Sequence, residues 1–160
     1  VKDQTTTNQS ISPLAAKEAS LLGVLASGGT VRCTALALML LPLSLLATAG
    51  QLEPSPTGLG THQQLGLPPC TMRMLVGIRC PGCGMTTSWS HFTHGQWRQS
   101  LSANLGGFLL AIYSLGFASV CGRVVWTGRM PSRDLQRMLS LALIGVAAVT
   151  LAVWGCRLVL

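Results

Sequence analysis

Three strongly apolar stretches of this chain carry no charged residue: residues 33–52, 99–122 and 138–156, which are 20, 24 and 19 residues long. A helix rises 1.5 Å per residue, so about 20 residues cross the roughly 30 Å hydrocarbon layer of a bilayer. Runs of this kind must lie either inside a large protein core or in lipid. The chain has 160 residues, of which 9% are charged and 49% hydrophobic, with a mean hydropathy of +0.50. A soluble domain carries about 25% charged residues. Here there are too few charges to build a hydrated shell around three such helices. The expected fold is therefore all-α, a polytopic integral membrane protein with three transmembrane helices.

The chain divides accordingly. Residues 1–32 are small and polar and read as a flexible cytoplasmic tail, disordered to about Ser12. A short helix is expected over residues 13–26, with Ser12 as N-cap and Pro13 in the first turn. Transmembrane helix 1 is placed at 33–52, with Pro42 tolerated as a kink. Residues 53–103 form a cysteine-bearing segment, transmembrane helix 2 follows at 104–125, and a basic loop occupies 126–137. Transmembrane helix 3 is placed at 138–157. Within the cysteine segment, Met85, Trp89 and Phe92 recur at helical spacing. They predict a short amphipathic helix at the membrane–water interface, ended by Gly95.

The basic residues set the orientation. Arg123, Arg129, Arg133 and Arg137 crowd the connection between the second and third spans, and basic loops stay in the cytoplasm. The tail with Lys2, Lys17 and Arg32 falls on the same side. The cysteine segment then lies outside, where disulfides persist. The formal charge of +7 follows from 11 Lys+Arg against 4 Asp+Glu. Its arginines punctuate the ends of apolar runs rather than forming a patch, so the partner expected is the lipid bilayer and not nucleic acid.

The chemistry-bearing side chains gather at Cys80-Pro81-Gly82-Cys83, with Cys70 before it. Three readings compete. As a metal site, Cys70, Cys80 and Cys83 need a fourth donor for tetrahedral zinc. His91, His94 or His62 can supply it, and the helical spacing is expected to put His91 on one face with Cys83 and Thr87. As a redox pair, Cys80 and Cys83 form a dithiol, with Cys83 near a helix N-terminus that lowers a thiol pKa. As a plain staple, the thiols or a static disulfide pack in a turn, with Pro81-Gly82 suited to type II. Asn104 is expected to cap the second span. Cys33, Cys121 and Cys156 read as small hydrophobes. The sequence holds no Gly-rich phosphate loop, no H-E-x-x-H and no G-x-S-x-G. The spans carry no acidic residue that would mark ion coupling.

Cys80-Pro81-Gly82-Cys83-Gly84-Met85-Thr86-Thr87, the His94-Gly95-Gln96-Trp97 turn and Asn104 resemble a bacterial family of small membrane proteins. That family is marked by a C-P-x-C-G-x-T-R motif and is catalogued as a domain of unknown function. The likeness spans about residues 60–120, with Thr87 standing where the pattern often has arginine. It implies a multi-pass protein of the bacterial inner membrane and brings no activity with it. The combined expectation is a non-enzymatic membrane protein whose cysteines stabilise the external segment, by disulfide or zinc, and present it to a membrane-protein partner or a second copy. The alternatives are a membrane thiol oxidoreductase using Cys80 and Cys83, and a small transport or channel subunit.

Overall fold

Among the described residues there are six α-helices: α1 (Pro13–Gly50), α2 (Thr71–Val76), α3 (Met85–Thr93), α4 (Trp97–Ala103), α5 (Leu105–Thr127) and α6 (Arg133–Val159). A 3-10 turn, Thr61–Leu65, lies between α1 and α2. The computed structural model describes the backbone of residues 13–159 and the side chains of residues 28–158. The expected disorder of residues 1–12 and the Ser12 cap lie outside the described residues.

The helix expected over residues 13–26 and the first span are one helix of 38 residues. Gly28 and Gly29 each cost about 1 kcal/mol in a helix interior. A break there would forfeit the backbone hydrogen bonds of the turns on both sides, and α1 runs through. Pro42 also lies inside it, with Ser44 and Thr48 hydroxyls donating back to the Leu41 and Ser44 carbonyls at 2.8 Å each.

Three helical stretches are long and apolar enough to cross a membrane: Gly28–Gly50, Leu105–Thr127 and Arg133–Leu158. Their ends differ from the sequence expectation for local reasons. The charge-free run 99–122 is broken at Asn104, whose backbone is extended and whose side chain accepts from Gly107 N at 2.9 Å, capping α5. The third helix starts at Arg133 instead of Met138. There Ser132 Oγ accepts from Leu135 N at 3.3 Å, and Asp134 sits in the first turn, an ordinary N-terminal signal.

α5 is the central helix, packed most extensively on α1 and also on α6; among the described residues α6 packs on no other helix. The three run antiparallel. Gly128, past the end of α5, lies beside the Arg32 guanidinium, and Gly106 at the start of α5 faces Thr150 near the end of α6. No residue of the apolar stretch of α6 is buried, and leucines such as Leu41 and Leu141 are more than half exposed.

At the other end α3 and α4 close over the tips of α1 and α5. This cap has an unusual interior: Thr61, Thr87, Ser88, Ser90 and Ser100 are fully buried. Ser88 Oγ donates to the Ser100 and Asn104 carbonyls at 2.9 and 3.0 Å, Ser100 Oγ to Ser88 O at 2.7 Å, and Ser90 Oγ to Leu52 O. Small hydroxyl side chains let backbones approach closely while each polar atom stays paired. Helix α3 therefore buries its Ser/Thr side, while Trp89 Nε1 bonds to Gly107 O at 2.8 Å and Phe92 meets Phe108 edge-on.

Candidate metal or thiol site

The cysteines are placed by three separate local structures. Pro68-Pro69 keep the chain extended up to Cys70, which stands at the N-terminal edge of α2 with φ −57° and ψ 122°. Cys80 and Cys83 are the ends of one turn, closed by Cys83 N–H donating to Cys80 O at 3.0 Å. Gly82 does not have the positive φ that a type II turn demands, so the expected turn type is corrected. The left-handed residue is Gly84, at φ +84°. A Cβ there would lie 2.8 Å from Gly58 O and 3.0 Å from Ala103 O. Three backbone segments converge on that point, and only glycine fits among them.

Gly84 also resets the register. Helix α3 begins at Met85, so Cys83 precedes it and does not share a helical face with Thr87 and His91. The sulfurs of Cys70, Cys80 and Cys83 all lie within 4.8 Å of one another, and Cys80 Sγ is 3.2 Å from Cys83 Sγ. His91 is not brought to them; its Nδ1 meets Gln96 Oε1 at 2.6 Å, while His94 Nδ1 meets Ser90 O at 2.7 Å. The histidine on the wall of the cysteine cavity is His62. That cavity, about 240 Å³, is lined by the three cysteines, His62, Arg73 and Thr87 among others.

The thiols are electrostatically unequal. The Arg73 backbone N–H, helped by the Cys80 and Cys83 thiols and Met72 N–H, brings Cys70 down from the ordinary 9.0 to about 7. Burial, with the neighbouring sulfurs of Cys80 and Cys70, pushes Cys83 up to about 12. The helix N-terminus expected to acidify Cys83 is outweighed by loss of solvent, and the acidic thiol is the one at α2 instead.

Two residues that sequence reasoning undervalued hold the site in place. Asn104 caps α5 and also donates through Nδ2 to Pro81 O and Cys83 O, both at 3.1 Å. Trp154 donates from Nε1 to Arg79 O at 2.6 Å, fastening the end of α6 to the residue before Cys80. An indole near the end of an apolar run was the available signal, and it does not by itself name a backbone carbonyl as partner.

Three sulfurs at these separations suit a tetrahedral thiophilic metal ion. With Zn–S near 2.3 Å, ligand sulfurs sit roughly 3.8 Å apart, between the closest pair here and the 4.8 Å limit. The same pair is also one short movement from a disulfide of about 2.05 Å.

A family model described as "Protein of unknown function (DUF2752)" matches residues 70–118, from Cys70 into α5. No curated protein and no solved structure matches the chain.

Proposed function

We propose that this chain is a three-span integral membrane protein whose cap is stapled by a zinc ion on Cys70, Cys80 and Cys83, and that it is not an enzyme. The observation that carries the reading is the convergence of three sulfurs from two chain segments on one cavity. Without a link, α2 has little to hold it: none of its residues is buried. Zinc binds thiolates, and binding releases their protons. Cys70 needs little persuasion at neutral pH, and a nearby dication offsets the burial that keeps Cys83 neutral. His62, on the same cavity wall, is the donor proposed to complete the set, in place of His91.

Elemental analysis of detergent-purified protein tests this. Stoichiometric zinc that survives dialysis, and is lost in Cys70→Ser, is expected. Metal-free protein with a Cys80–Cys83 disulfide in its intact mass would sink the zinc reading.

The 3.2 Å separation of Cys80 and Cys83 favours a second reading, a membrane thiol oxidoreductase. In it the two thiols give two electrons and two protons to an acceptor disulfide, which leaves as a dithiol. Its mark is a stable but inactive Cys83→Ser variant, where the staple predicts lost abundance.

The membrane reading is supported by the three apolar helices and the exposed leucines around them. We place the cap outside and the Arg32, Arg129, Arg133 and Arg137 end in the cytoplasm of a bacterial inner membrane. A membrane-impermeant maleimide applied with a membrane-impermeant chelator to intact cells should label Cys70 once the metal is withdrawn; labelling only after lysis reverses the orientation.

A further inference from the structure

A second cavity, about 310 Å³, shares Cys80 and Cys83 with the first and is lined by that turn, the start of α5 and the end of α6. Arg79 and Arg157 line it, with Trp154 between them in the wall and Ile78, Val153 and Leu158 supplying an apolar side. The two carboxylates among residues 28–158 are Glu53 and Asp134, and neither lines this cavity. Both arginines thus line a shared space in which the described residues provide no carboxylate. The wall they stand on is built. Trp154 is fixed by its bond to Arg79 O, and the close approach of Gly106 and Thr150 brings α5 and α6 together at the cavity's edge.

We propose that this cavity binds the phosphate of an anionic phospholipid from the leaflet on the cysteine side. Planar guanidiniums pair with phosphate oxygens through two parallel N–H bonds, and two of them at one site match a phosphodiester. The apolar side argues for a lipid over free phosphate. Glycerol and the first methylenes have Val153 and Leu158 to lie against, and the exposed apolar face of α6 continues from there toward the bilayer centre. Tryptophan at that depth is the usual residue of the headgroup level. The inference rests on the membrane reading and is independent of zinc.

The full chain is reconstituted into vesicles of phosphatidylcholine alone or mixed with phosphatidylglycerol, floated, extracted in mild detergent, and its retained lipids counted by native mass spectrometry. Phosphatidylglycerol should be retained over phosphatidylcholine. Arg79→Gln and Arg157→Gln should each weaken that preference about fivefold, Arg157→Lys should keep most of it, and Arg98→Gln, outside the cavity, should leave it unchanged. Equal retention of the two lipids overturns the proposal, as does unaltered preference in the double Arg79→Gln/Arg157→Gln variant. Displacement of phosphatidylglycerol by millimolar inorganic phosphate would assign the site to a soluble anion instead. A chain that fails to float removes the membrane reading itself, whereas one that floats without lipid preference leaves that reading intact.

Discussion

The hydroxyls of Thr61 and Thr87 meet at 2.8 Å with both side chains fully buried. Thr61 Oγ1 also accepts from Ser55 N at 3.1 Å, so one oxygen ties the loop after α1 to the helix that follows the cysteines. Thr87 is the residue at which the motif expected from the sequence often has arginine. Here it is enclosed and uncharged, and its bond anchors the wall of the cysteine cavity.

Thr87→Val keeps the shape of that side chain and removes the bond, leaving a buried oxygen with one partner fewer. A loss of about 1–2 kcal/mol is expected, read as a lower melting temperature in detergent. Thr57→Val, on an exposed hydroxyl, is the control and should change little.

Asn104 makes separable contributions. Asn104→Asp keeps an acceptor for Gly107 N–H but sets a carboxylate against the Pro81 and Cys83 carbonyls. The cap should survive and the turn should loosen. The expected sign is faster alkylation of Cys83 at unchanged helix content by circular dichroism; Asn104→Ala should lower both stability and helix content, by about 1 kcal/mol for the cap alone.

Glycines sort by what surrounds them. Gly84→Ala combines positive φ with a Cβ against two carbonyl oxygens, and Gly106→Ala drives a Cβ to within 2.8 Å of Thr150 Cβ. Both variants should accumulate poorly. Gly145→Ala, with nothing within 4 Å of the added carbon, should be neutral or raise stability by up to about 1 kcal/mol, the helix propensity difference.

Thiol reactivity should split with pH in metal-stripped protein. Cys70, held near 7, should reach half its maximal alkylation rate there, while Cys83, raised to about 12, stays protected through pH 9. The stability signs are opposite. Between about 7 and 9.0 the unfolded chain holds the Cys70 proton that the folded one has released, so that site's contribution grows with pH and is lost on acidification. From 9.0 to about 12 the folded chain keeps the Cys83 proton, and stability falls as pH rises. Peptide-mapped alkylation from pH 6 to 10 checks the order; equal rates at the two cysteines would refute it.

The long helices were legible because lipid-length apolar runs advertise themselves without knowledge of neighbours. Their ends were less so, since a single cap decides them: Asn104 splits what composition shows as one run, and Ser132 starts α6 early. The clustering of Cys70 with the C-x-x-C pair was readable from proximity in sequence. His91 does not share a helical face with Cys83, because Gly84 stands between Cys83 and the start of α3. What no local pattern reveals is a bond such as Trp154 to Arg79, between residues 75 apart. A hydroxyl-filled cap interior is equally hidden, because serines and threonines look like surface until three backbones close on them.

That long-range bond also orders events in time. Chains are made from the N-terminus, and their parts fold as they emerge. The cysteine turn is synthesised well before α6, yet the carbonyl just ahead of it waits for an indole in α6. During biogenesis the thiols are therefore presented on an unfinished scaffold, open to whatever loads or oxidises them. Arrival of α6 then fastens the turn, so a product truncated before α6 would carry an unlatched cysteine segment.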